Sequence, residues 1–139
     1  MINQLGERES RALLEGGATG RLGCSDHGKP YIVPVHYVFD NNCVYVQSPP
    51  GHKIDVLRDN PNACLQVDDI EDDDHWSSVL AFGLFEEVSD ARERDRILGD
   101  MLERWPSMTQ VEPRTKQPSP ETILFRIRVT DITGVYESH

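Results

Sequence analysis

The chain has 139 residues, of which 37% are hydrophobic and 27% charged, and its formal net charge is −10. That length suits one domain over residues 1–139, with a core that needs no staples. The charge argues against nucleic acid or an anionic membrane as partner, and no apolar run reaches the length of a membrane span.

The start, Met1-Ile-Asn-Gln-Leu-Gly-Glu7, lacks a basic stretch followed by an apolar one, so no secretory leader is expected. Cys24, Cys43 and Cys64 are far apart and form no C-x-x-C pair. Free thiols in a reducing cytoplasm account for them.

Residues 7–15 are predicted as a helix ended by Gly16-Gly17, and Ala18 to Cys24 as a short strand. Asp26-His-Gly-Lys-Pro30 has the composition of a turn. Tyr31 to Phe39 reads as a strand apolar on both faces, and Asn41-Asn42 as a tight hairpin into Cys43–Gln47. A helix over 52–59 carries Ile54 and Leu57 on one side and stops at Asn60-Pro61. Ala63 to Asp68 is a strand, and the acidic run Asp68–Asp74 a solvated loop. That run lacks the glycine and glutamate of a calcium loop, so no metal site is expected.

Trp76 to Val88 is a long strand, again apolar on both faces. Asp90 caps a helix from Ala91 to about Arg104, which buries Ile97, Leu98, Met101 and Leu102. Trp105 to Pro120 holds four prolines and reads as an irregular loop, long enough to serve as a lid or substrate contact. The last strand, Thr122 to about Thr130, turns Ile123, Phe125, Ile127 and Val129 to one face. These elements predict a mainly β fold: six strands in hairpin-like order, closing into a small antiparallel barrel with flanking helices. The two strands apolar on both faces need cover, and a second copy of the chain is expected to supply part of it.

The most informative segment runs Ser48-Pro-Pro-Gly-His-Lys-Ile-Asp-Val-Leu-Arg-Asp-Asn60. A strand ending in Ser48, a Pro-Pro-Gly turn and a helix opening at His52-Lys53 make an anion site. The first helical amides have no carbonyl partner, and the helix dipole adds positive charge. Lys53 adds a full charge and Ser48 a hydroxyl. His52 is either a second phosphate donor or an exposed residue at a helix start. Neither the P-loop nor the dinucleotide glycine motif occurs, and no spacing suggests a nucleophilic pair.

Four stretches occur in a characteristic order: Gly20–Cys24, Gly28–Val38, Val44–Ser48 with Gly51–Pro61, and Trp76–Gly83. Together they resemble the pyridoxamine 5′-phosphate oxidase-like superfamily of FMN-binding split barrels, and within it the branch containing the nitroimidazole-resistance proteins. The resemblance implies a six-stranded antiparallel split barrel with FMN at a homodimer interface. Gly51, Lys53, Leu57, Arg58, Asn60 and Pro61 match the pattern whose lysine meets the FMN phosphate, which gives Lys53 that role.

By the same resemblance the segment Pro34, Val35, His36 and Tyr37 runs beside the isoalloxazine ring, mostly by backbone contact. Gln47 and Ser48 approach the ring edge or ribityl chain. Trp76, Ser77 and Ser78 come from the partner subunit. His36 reads as a hydrogen-bonded interface residue rather than a catalyst, and Trp76 equally as a core or interface filler. Gln47 stands where nitroimidazole-resistance relatives often carry histidine. The C-terminal Arg-Leu-x-Pro tail of true pyridoxamine phosphate oxidases is missing, so that conversion is not expected.

The implied activity is FMN-dependent oxidation or reduction of a small molecule, with NAD(P)H as electron donor. No catalytic residue is assigned. The alternative is a cofactor binder without turnover, holding FMN, the deazaflavin F420 or haem.

Overall fold

A computed structural model describes residues 1–104 and 122–138. The elements are β1 (Ile2–Gln4), α1 (Glu7–Gly16), β2 (Thr19–Asp26), β3 (Lys29–His36), β4 (Val38–Asp40), β5 (Cys43–Ser48), α2 (His52–Asp59), β6 (Asn62–Asp72), β7 (His75–Glu87), α3 (Ala91–Arg104) and β8 (Ile123–Glu137). The stretch read as a lid, Trp105 to Pro120, lies outside the described residues.

All strand pairs are antiparallel. The strands form one sheet in the order β3-β2-β6-β7-β8-β5-β4, with β1 added on β8. The mainly β plan with flanking helices is as expected, but among the described residues the sheet has eight strands rather than six and does not close. Its two ends, β3 and β4, are consecutive in the chain and joined through Tyr37 alone. The sheet therefore curls back on itself and leaves a seam.

Other expectations also needed correction, among them Leu102, which is 47% exposed rather than buried. A short strand, β1, precedes the leading helix. The strand expected over 31–39 breaks at Tyr37, whose N–H donates to Ala18 O (3.0 Å) and whose hydroxyl donates to Leu14 O (2.6 Å). Buried apolar residues on both sides of such a break look continuous in sequence.

The acidic run Asp68–Asp74 is mostly strand, because β6 and β7 pair out to Asp72↔His75. Charged side chains on exposed strand positions cost nothing in backbone pairing. The last strand continues past Thr130 to Glu137. A bulge lies between the Phe82↔Asp131 and Gly83↔Val129 pairs and leaves Thr130 unpaired. It breaks the alternation, so the periodicity ends there although the strand does not.

Inside the curl, Leu22, Leu65, Val79, Ala81, Phe125 and Ile127 pack with Leu14 of α1 and with Ile54 and Leu57 of α2. Ile97 and Met101 of α3 cover a second cluster with Val38, Cys43, Tyr45 and Leu124 on the opposite face. Asp90 caps α3, accepting from Arg92 N–H at 3.0 Å. Among the described residues no helix lies over the outer face of β3, β2, β6 and β7. The aligned row Ile32–Gly23–Cys64–Phe82 crosses this face. Ile32 is 67% exposed, Phe82 38% and Leu84 42%. Edge strand β3 carries Pro30 and Pro34.

Candidate functional site

Helix α2 begins beside β2 and β3. Gly51 holds extended backbone (φ 169°), and no side chain caps the helix. The first intrahelical bond runs from Asp55 N–H to Gly51 O (3.1 Å), so the amides of His52, Lys53 and Ile54 have no intrahelical acceptor. Ser48 closes the end of β5 and is 3% exposed. Its hydroxyl donates to Pro49 O (2.8 Å) and accepts from Lys53 Nζ (3.0 Å).

Lys53 is the unusual charge here. Burial lowers its pKa from the usual 10.5, opposed only by the nearby Cys24 thiol. Among the described residues no carboxylate comes within ion-pair distance of it, whereas Arg58 pairs with Glu87 at 2.9 Å. A half-buried ammonium with only a neutral hydroxyl as partner costs free energy, and a bound anion would recover it.

The remaining expected residues divide between places. His52 is beside Lys53, its Nε2 lying 3.2 Å from Asp26 Oδ2 and its ring edge-on to Tyr31 at 5.0 Å. Pro34 and His36 are exposed on β3, and His36 Nδ1 contacts Thr19 Oγ1 at 3.2 Å. Val35 turns its side chain into the core, and Tyr37 is fully buried there. At those two positions only the backbone can face a ligand. Gln47 is exposed on the opposite face of β5 from Ser48.

Trp76, Ser77 and Ser78 are not near Lys53 within one chain. Lys53 is close to Cys24, which pairs with Ala63, which pairs with Gly83. Trp76 lies seven positions further along β7, about 20 Å away at the rise of a strand. There Trp76 Nε1 donates to Glu137 Oε1 (3.1 Å), and Ser78 Oγ accepts from Gln66 Nε2 (3.1 Å).

Sequence reading missed Asp26, His27 and Tyr31. Asp26 accepts from His27 (2.8 Å) as well as facing His52, and His27 Nε2 lies 3.7 Å from Asp59. The hydrogen bond from His27 is the main cause that holds the Asp26 carboxyl below its usual value. These residues read as a turn, and nothing local tied the turn to a helix that starts 25 residues later.

The chain is thus an open, curled antiparallel β protein with a half-buried lysine at an uncapped helix start. Residues 6–135 match the family described as pyridoxamine 5′-phosphate oxidase, and the chain belongs to that family. An uncharacterized protein of Rhizobium meliloti (strain 1021) is 29% identical over 143 residues, covering 96% of this chain and 93% of that protein.

Among solved structures, a FAD-binding protein from Mesorhizobium loti superposes with a TM-score of 0.83 at 27% identity, covering 100% of this chain and 98% of that one. The FAD-binding protein from Mycobacterium smegmatis gives 0.70 at 23% identity, over 99% and 98% of the two chains. At that identity the second likeness speaks for the fold alone.

Proposed function

We propose that this chain is a flavoprotein that binds FMN between two copies of itself and uses it to oxidise or reduce a small molecule. The observation that carries the reading is the half-buried Lys53 ammonium at the uncapped start of α2, with Ser48 as its partner. Family membership and the FAD-binding neighbour of Mesorhizobium loti support a flavin as the ligand.

The phosphate would rest on the amides of His52–Ile54 and on Lys53. The ring would lie along the seam beside the exposed edge of β3 at Pro34–His36, reached from Tyr31 by a ribityl chain. Bound FMN would supply the electron transfer, with a reduced nicotinamide as donor in our reading.

The chain's own residues supply the rest. Lys53 and the helix start neutralise the phosphate. The edge of β3 would hold the ring. The apolar outer face excludes water when a second copy covers it. Support for that second copy comes from the exposed row around Phe82 and Leu84. In this reading Trp76–Ser78, which lie far from Lys53 within one chain, would reach the ring from the second copy.

The test is the visible spectrum of freshly purified protein, with identification of what boiling releases and the mass by sedimentation. A flavin doublet, released FMN and a dimer are expected. A colourless protein that stays colourless after soaking with FMN, a Soret band, or a strict monomer would overturn the reading.

A further inference from the structure

The charges around the start of α2 do not favour an anion as they stand. On α2, Lys53 is positive, Asp55 and Asp59 are negative, and Arg58 is engaged by Glu87. From β2, Asp26 reaches the first helical residue, with its carboxylate 3.2 Å from His52 Nε2, and Cys24 is near enough to feel both Asp26 and Lys53. From β3, Lys29 pairs in register with Asp26, and Tyr31 holds the His52 ring edge-on. The turn adds His27, whose two ring nitrogens bridge Asp26 and Asp59 at 2.8 and 3.7 Å. One carboxylate thus takes both imidazoles at the mouth of the cradle.

We propose that Asp26 is a carboxylate brake on phosphate binding at this site, and that His27 sets the pH at which the brake is released. The inference rests on the flavin reading above. Asp26 competes with the incoming phosphate for His52 and repels it. When His27 carries a proton, the Asp26 charge is balanced and the repulsion falls. When His27 is neutral, Asp26 opposes the phosphate in full. The hydrogen bond that His27 donates to Asp26 raises the His27 pKa above its usual 6.5. Release therefore occurs on the acid side of a value that lies above 6.5. A phosphate monoester keeps most of its second charge above about pH 6, so the ligand does not mask the effect in that window.

The probes are FMN and riboflavin, which differ by the phosphate. The ratio of their dissociation constants isolates what the phosphate contributes. In the wild type the FMN advantage should fall from pH 6.5 to pH 8.5. In Asp26→Asn it should be about threefold larger at pH 8.5 than in the wild type and nearly level with pH, the effect expected of one unit charge a side chain's length away in a largely solvated setting. In His27→Gln, which keeps the brake and loses its balance, the advantage at pH 6.5 should drop to the wild-type value at pH 8.5. Equal ratios in all three proteins at both pH values, with both flavins bound, would overturn this inference and leave the flavin reading standing. Failure of the wild type to bind either flavin would overturn both.

Discussion

Replacing Lys53 with methionine keeps the unbranched stem in its half-buried slot and removes the ammonium. In the proposed complex that ammonium meets a phosphate, and a hydrogen bond to a charged group contributes about 1.5–3 kcal/mol. Taking about 2 kcal/mol, FMN affinity should fall about 30-fold. Without ligand the variant should be as stable as the wild type within about 0.5 kcal/mol. It loses only the contact to Ser48 Oγ and no longer bears the cost of burying a charge.

Thermal shift separates these terms. At FMN equal to 100 times the wild-type dissociation constant, mass action stabilises the wild type by about 2.7 kcal/mol and the variant by about 0.9 kcal/mol. For a domain of this size the ligand-induced rise in Tm should shrink from about 10 °C to about 3 °C. Riboflavin should bind both proteins alike. An FMN affinity unchanged within twofold would refute the assignment, and so would an equal loss of riboflavin binding.

Because burial lowers the Lys53 pKa, its proton leaves below the usual 10.5. Wild-type FMN affinity should therefore decline in alkali before an ordinary lysine titrates, read by flavin fluorescence against riboflavin. Arg126 joins Glu86 at 2.9 Å and Glu93 at 2.7 Å with its side chain 19% exposed. Arg126→Met should cost about 1–2 kcal/mol in urea unfolding at pH 7. Glu93 has its pKa lowered from 4.5 chiefly by Arg126, so its contribution is present above 4.5 and lost as pH falls through the lowered value. The Arg126→Met deficit should shrink accordingly in acid. Tyr37→Phe removes the buried bond to Leu14 O and should cost about 1–2 kcal/mol by the same assay. Gly83→Ala would press a Cβ into the Arg128 carbonyl at the β7–β8 bulge. Its yield of folded protein on expression should collapse, whereas Gly99→Ala, in open space, should leave yield unchanged.

Most of the fold was legible because its elements are locally coded. The run Ile123, Phe125, Ile127, Val129 marked a core-facing strand, and those residues line or pack on the main core. Asp90 marked a helix start, and Asn41-Asn42 a turn that does hold two positive φ angles. What failed was non-local. The strand break at Tyr37 depends on acceptors at Ala18 and Leu14, and the bulge at Thr130 on its partner strand. At the site, Lys53 and Ser48 were readable from one contiguous segment and do meet. Asp26 and His27 reach that segment only through sheet pairing, so no spacing in the chain announced them.

The prolines of β3 have a consequence for how copies of this chain can meet. A ring nitrogen in place of N–H leaves the free margin of the sheet without two of its donors, at Pro30 and Pro34. A neighbouring strand zipping on there would find alternate rungs missing. The margin is thus kept bare, guarded against the strand-by-strand growth that open sheets invite. In the proposed dimer, association would fall to the flank around Phe82, and a flat guest could lie along the rail that β3 leaves open among the described residues.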